Sequence, residues 1–269
     1  MKFSVLMSLY IKENPDYLTQ CFESLVKQTI QADEIVLILD GTITPELEQI
    51  VQKFSLILPL VIFRLEKNQG LGNALNFGLK QCKHSWVFRM DTDDICIPER
   101  FEKQIKFIKQ YPDTIILGGQ IAEFGQTIND IVSYRYVPTE HNSIIKFTTK
   151  RCPFNHMTVA YQKNIVLANG GYEDLQEDYY LWIKLVALGK PVANLNDILV
   201  YARVGNGMVS RRRGLKQAKA EWRLFKLKRK LSIQNTLSGF ATFLLRALPR
   251  LLPTSALSII YQLTRKQLK

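Results

Sequence analysis

Apolar and polar positions alternate along this chain in blocks whose period switches repeatedly between a strand and a helix. Phe3–Ile11 is an apolar run that reads as a buried first strand, because Lys12-Glu13-Asn14-Pro15-Asp16 follows it rather than the small residues of a signal-peptide cleavage site. Tyr17–Gln28 places Leu18, Cys21, Phe22, Leu25 and Val26 at helical spacing. Glu34–Leu39 is a short β-branched run ending in Asp40-Gly41. Helices are predicted over Pro45–Phe54, Gly72–Cys82 and Pro98–Tyr111, with strands over Leu60–Leu65 and Trp86–Met90. Strict strand–helix alternation through the first 110 residues predicts a mostly parallel, doubly wound α/β sheet. Beyond it, Ile115–Ile121, Ile131–Val137 and Ile198–Arg203 read as strands of a smaller, partly antiparallel half. Asp178–Leu188 reads as a helix stopped by Gly189, and Gly214–Leu231 as a basic helix.

Composition narrows the class without naming an activity. With 269 residues, 46% hydrophobic and 22% charged, the chain is long enough for a sizeable core and unlike disordered or collagen-like sequences. The four cysteines, Cys21, Cys82, Cys96 and Cys152, form no CxxC pair; neither a zinc site nor a disulfide framework is indicated, and a reducing cytoplasm is expected. No run reaches the roughly 18 apolar residues of a membrane-spanning helix.

The charge is unevenly distributed. Residues 211–269 carry 15 of the 36 basic residues and one acid, Glu221, leaving 21 basic against 23 acidic in residues 1–210. A fold has no need of that arrangement, so it points to an anionic partner. In Gly214–Lys230, Leu215, Ala218, Trp222 and Phe225 recur at helical spacing among lysines. The apolar Phe240–Leu252, broken by Arg246, Pro249 and Arg250, and the stub Ile259-Ile260-Tyr261 follow. Such a tail fits an in-plane anchor on an anionic membrane surface; a core-packing helix is the plainer alternative. Nucleic acid is disfavoured, because the tail gains aliphatics and prolines rather than stacking aromatics in a recognisable module.

Candidate chemistry lies at strand ends, where open α/β sheets bind ligands. Two strands end in acids: one in Asp40, the other in Asp91-Thr92-Asp93-Asp94. Three carboxylates in four residues call for a cation, and Mn²⁺ or Mg²⁺ suits hard oxygen ligands. An acidic solvated turn is the plainer alternative. An aspartyl phosphohydrolase also opens with Asp-x-Asp after a strand, but it needs Thr or Val where this chain has Ile95.

Five motifs now stand in register: Ser4–Tyr10, Asp33–Gly41, Asn68-Gln69-Gly70 with Ala74, Asn76 and Gly78, Arg89–Asp94 with Pro98-Glu99-Arg100, and Gly170-Gly171-Tyr172 with Glu177-Asp178. Together they resemble glycosyltransferase family 2, in the branch of amylovoran and O-antigen transferases, over about residues 3–230. The resemblance implies a GT-A nucleotide-diphospho-sugar transferase fold, with a nucleotide-sugar half (1–112) and an acceptor half (113–210); the basic amphipathic tail (211–269) reads from its own pattern as a membrane-association segment. The resemblance also implies that Ser8, Tyr10, Glu13, Asp40, Asn68, Gly70, Asp91, Asp93 and Asp94 bind the nucleotide-sugar, with Asp93 on the metal, and that Asp178 is the catalytic base. His156, Glu177, Arg203 and Arg211 are candidates for acceptor or diphosphate contacts. Acids opening a helix also serve merely as dipole partners, and the basic loop around Arg211 suits lipid headgroups equally well. Where many members read Ala-Arg-Asn, this chain has Ala74-Leu75-Asn76; Arg89 or Arg100 is the expected substitute for that charge. The activity implied is inverting, metal-assisted transfer from a UDP-sugar to a polyprenyl-diphosphate-linked saccharide, at the cytoplasmic face of a bacterial inner membrane. A non-catalytic or nucleic-acid-binding α/β protein is the opposing reading.

Overall fold

The computed structural model describes residues 1–173, 177–204 and 214–250. Its first half alternates as expected: β1 (Phe3–Leu9), α1 (Pro15–Val26), β2 (Glu34–Leu39), α2 (Pro45–Ser55), β3 (Leu60–Arg64), α3 (Leu71–Gln81) and β4 (Trp86–Arg89). Asn14 caps α1 by accepting the Asp16 and Tyr17 amides, and Thr44 caps α2 by accepting that of Leu47; each cap precedes a proline whose fixed φ suits the first turn. β2 is buried along its whole length, as a strand covered by helices on both faces must be.

These strands lie parallel in the order β3-β2-β1-β4. The second half supplies β5 (Ile95–Cys96), α4 (Arg100–Gln110), β6 (Ile116–Phe124), β7 (Ile131–Arg135), α5 (His141–Thr148), a 3₁₀ turn at His156–Thr158, β8 (Ala160–Gln162), α6 (Lys163–Ala168), α7 (Glu177–Val186) and β9 (Val192–Arg203). β8 runs antiparallel to both β4 and β6 and so ends the parallel run. β9 pairs parallel with β6, while β5 and β7 pair antiparallel with β9 and β6. The expected doubly wound sheet with a mixed smaller half is therefore present. β9 begins six residues earlier than its sequence pattern, because Asn194, Asn196 and Asp197 interrupt the apolar run. Asn194 is nevertheless buried, with its amide donating to the Pro138 and Pro153 carbonyls. One core cluster lies beneath α1, α2 and α4, the other beneath α3, α6 and α7.

The chain continues into α8 (Leu215–Lys230) and α9 (Thr236–Arg250), which pack on each other. Leu224 and Leu227 of α8 meet Tyr179 and Ile183 of α7. The face of α8 that is buried differs from the one its apolar spacing suggests: Leu215 and Trp222 are exposed, whereas Glu221 and Lys228 are buried. Polar partners explain the rotation, since Lys228 donates to the Tyr179 hydroxyl and the Thr149 carbonyl, and Glu221 pairs with Arg246 and Arg250. The Ile259–Tyr261 stub lies outside the described residues. Among those described, no helix is long and apolar enough to cross a membrane.

Candidate functional site

β4 delivers Asp91-Thr92-Asp93-Asp94 to the carboxyl end of the parallel strands, beside the end of β1. The turn is held from three sides. Arg89, fully buried, donates to the Leu6 and Met90 carbonyls and, at 2.5 Å, to the Asp91 carboxylate. Cys21 of α1 contacts the Asp91 carbonyl at 3.3 Å, and the Thr92 hydroxyl donates to Glu13. Arg203, closing β9, donates its main-chain amide to Asp94 (2.8 Å) and its Nε to the Asp93 carbonyl (3.1 Å). Its guanidinium is sandwiched between the rings of Tyr17 (3.8 Å) and Phe124 (4.4 Å). Arg100 lies wholly in the core, with bonds to the Arg89 carbonyl, the Met90 and Cys96 sulfurs and Gln104; its charge supports β4 from beneath and makes no bond to a carboxylate of the turn.

The second acid, Asp40, is almost wholly buried. Its carboxylate accepts from Asn68 Nδ2 (2.9 Å) and from the amides of Gln69 (2.7 Å) and Gly70 (3.0 Å), so three candidate residues form one clasp that shapes the 68–70 loop. Gly41 sits opposite with φ +86°, and a Cβ there would meet the Asn68 nitrogen at 2.7 Å. Ser8 is half-buried on β1, between this clasp and the acidic turn. Tyr10, just beyond β1, is exposed.

Across the site, Asp178 stands in the first turn of α7. One carboxylate oxygen accepts the Tyr179 amide at 2.6 Å; the other lies 3.7 Å from the Cys152 sulfur, a neighbour 26 residues away that no local pattern predicts. Burial first, then the Asp178 charge, pushes the Cys152 thiol up, so it stays protonated. His156 and Tyr172 form a ring pair with centroids 5.6 Å apart, and both feel Asp91 and Asp178. The acidic turn and the candidate base thus face a common pair of rings. His156 has a buried Nε2 with no hydrogen-bond partner, and burial followed by Arg89 lowers its pKa, which keeps it neutral. Asn76 of α3 fixes this edge by exchanging two hydrogen bonds with Tyr172, at 2.7 and 2.8 Å. A Cβ on Gly171 would strike Asn76 at 2.2 Å, which accounts for glycine beside it. Glu177 opens α7, but its side chain lies outside the described residues, as does Arg211.

The electrostatics of the acidic turn are unbalanced. Burial, then the charges of Asp91 and Glu13, raise Asp93 to about 7, and burial with Asp93 and Asp91 raises Asp94 as well. Among the described residues no three His, Cys, Asp or Glu side chains form a ready cation cage. The mutual repulsion of these carboxylates fits a hard divalent ion held by one or two of them and completed by a phosphate-bearing ligand.

A model of the family described as Glycosyl transferase family 2 matches residues 4–175. The chain is 44% identical to the amylovoran biosynthesis glycosyltransferase AmsE of Erwinia amylovora, over 98% of this chain and 99% of that one. It is 40% identical to the UDP-Gal:alpha-D-GlcNAc-diphosphoundecaprenol beta-1,3-galactosyltransferase of Escherichia coli, over 97% and 95%. The fold matches that of S. aureus TarS 1-349 in complex with UDP-GlcNAc with a TM-score of 0.69, at 22% identity, over 93% of this chain and 72% of that one.

Proposed function

The chain belongs to glycosyltransferase family 2, and from that premise we propose that it moves one sugar, with inversion, from a UDP-sugar to a saccharide carried on a polyprenyl diphosphate. The setting is exopolysaccharide or O-antigen assembly at the cytoplasmic face of a bacterial inner membrane. A relative whose name includes both a UDP-sugar and a diphosphoundecaprenol acceptor supports the donor and acceptor classes. The observation that carries the reading is the pairing of an unbalanced acidic turn with a second acid, Asp178, across the His156–Tyr172 rings.

In this reading residues 1–112 bind the nucleotide-sugar and residues 113–210 receive the acceptor. Ser8 and Tyr10 border the nucleobase, and the Asp40–Asn68–Gly70 clasp sets the loop over the nucleotide. Asp91, oriented by Arg89, meets the ribose, and Asp93 holds Mn²⁺ or Mg²⁺. When bound, such an ion supplies Lewis-acid stabilisation to the departing diphosphate. Asp178 takes the proton of the acceptor hydroxyl as that oxygen attacks the anomeric carbon from the face opposite the diphosphate. His156 stays neutral between the two acids and orients the acceptor.

Titration calorimetry with UDP, with and without Mn²⁺ and against ADP and a short single-stranded DNA, tests the reading. Mn²⁺-dependent UDP binding is expected. Silence with UDP alongside salt-sensitive binding of DNA would overturn it.

A further inference from the structure

α9 is apolar on both sides but carries its charge inward, where Phe243 also packs on Trp222 and Phe225 of α8. Its inward side carries arginines: Arg246 donates to both carboxylate oxygens of Glu221 (2.7 and 3.0 Å) and to the Lys150 carbonyl, and Arg250 adds a 2.5 Å bond to the same carboxylate. Its outward side is apolar. Leu237, Phe240, Ala241, Leu244, Leu245 and Leu248 fall at i, i+3, i+4, i+7, i+8 and i+11, one continuous stripe, and all are exposed, Leu237 and Leu245 at 86% and 77%. A helix on a water-soluble surface keeps the opposite polarity. Single exposed leucines are ordinary; a stripe along about three turns marks a partner. Beside it, α8 presents Lys216, Lys219, Lys226 and Lys230 to solvent.

We infer that the outward stripe of α9 is a lipid-binding face that lies in the plane of an anionic bilayer, its leucines in the acyl boundary and the α8 lysines on headgroup phosphates. This sharpens the expectation drawn from the sequence, in which the whole basic tail, Phe240–Leu252 included, forms an in-plane anchor: the outward stripe of α9 supplies the apolar face, while Leu224 and Leu227 of α8 pack on α7. The lysines beside the stripe decide for lipid over a second copy of the chain, since two copies meeting there would bring like charges together. The inference rests on the proposed function insofar as a polyprenyl-linked acceptor resides in such a bilayer.

The test is co-sedimentation of the full chain with vesicles of phosphatidylethanolamine and phosphatidylglycerol, against vesicles of phosphatidylcholine. The wild type is expected to bind the anionic vesicles and to be released by salt. The double variant L237Q/L245Q, altered at two exposed positions, is expected to keep its thermal midpoint and lose roughly tenfold or more in vesicle affinity. The triple variant K216E/K219E/K226E is expected to lose about tenfold or more on anionic vesicles. Wild-type chain that ignores both vesicles, or L237Q/L245Q that binds like wild type, would overturn the lipid face. So would a wild-type dimer that L237Q/L245Q converts to monomer without lipid, because the stripe would then join two copies. UDP calorimetry on the same samples separates the two failures: a lipid-binding chain silent to UDP sinks the transferase reading alone.

Discussion

Two charged clusters in this molecule both draw acids into the interior and differ in their balance. At the end of β4, Asp91, Asp93, Asp94 and Glu13 crowd together against Arg89 and Arg203, and Asp93 is pushed up to about 7. Between α8 and α9, Glu221 is equally buried but is gripped by Arg246 and Arg250. The first arrangement stores repulsion that a cation would relieve; the second is complete by itself and serves to hold two helices together. Crowded like charge therefore marks the site, and paired charge marks the architecture.

The comparison sharpens most at the proposed base beside the first cluster. Asp178→Asn is expected to lower turnover about a thousandfold while UDP affinity stays within a few-fold, read by steady-state kinetics and calorimetry. Breaking the second cluster is a matter of stability: Glu221→Gln removes the buried negative charge that Arg246 and Arg250 share and is expected to cost about 3 kcal/mol in urea unfolding, with UDP affinity of the folded chain unchanged. Breaking the first cluster has the opposite sign. Asp93→Asn is expected to weaken Mn²⁺-dependent UDP binding at least about a hundredfold, yet to stabilise the metal-free chain by about 1 kcal/mol, because it removes a carboxylate that burial and its neighbours penalise.

The smallest effect lies beside Glu221. Lys228 packs among Tyr179, Cys152 and Arg246, and burial, followed by the Arg246 charge, lowers it to about 7 against the opposing pull of Glu221. Between about pH 7 and pH 10 the unfolded chain holds the proton that the folded chain has lost, so stability rises with pH across that window. The expected slope is about 1 kcal/mol per pH unit in the middle of that window, and Lys228→Met should flatten it in thermal melts taken at several pH values.

Legibility from sequence followed the range of the interactions. β2 was readable because burial on both faces imposes a continuous apolar run, and α2 because Thr44-Pro45 announces its start. β5 and β8, two and three residues long, carry no local pattern; antiparallel pairing with β9 and with β4 and β6 creates them. The acids of the candidate site were legible as strand ends. Their engagements were not: Asp40 binds the loop read as its fellow ligand, and Arg203, read as a contact for diphosphate or acceptor, stacks between two rings and pins the acidic turn. Likewise Glu221 and Lys228 look like solvated residues of a basic helix until the distant Arg246 and Tyr179 are placed against them.

Arg203 also sets an order of events during synthesis. The acidic turn leaves the ribosome more than a hundred residues before the arginine that braces Asp93 and Asp94. Through that interval the amino-terminal strands can pair with one another, but the turn that ends them lacks its brace. The acidic turn is thus completed after the scaffold that bears it, once β9 has emerged, rather than in step with the first half of the sheet.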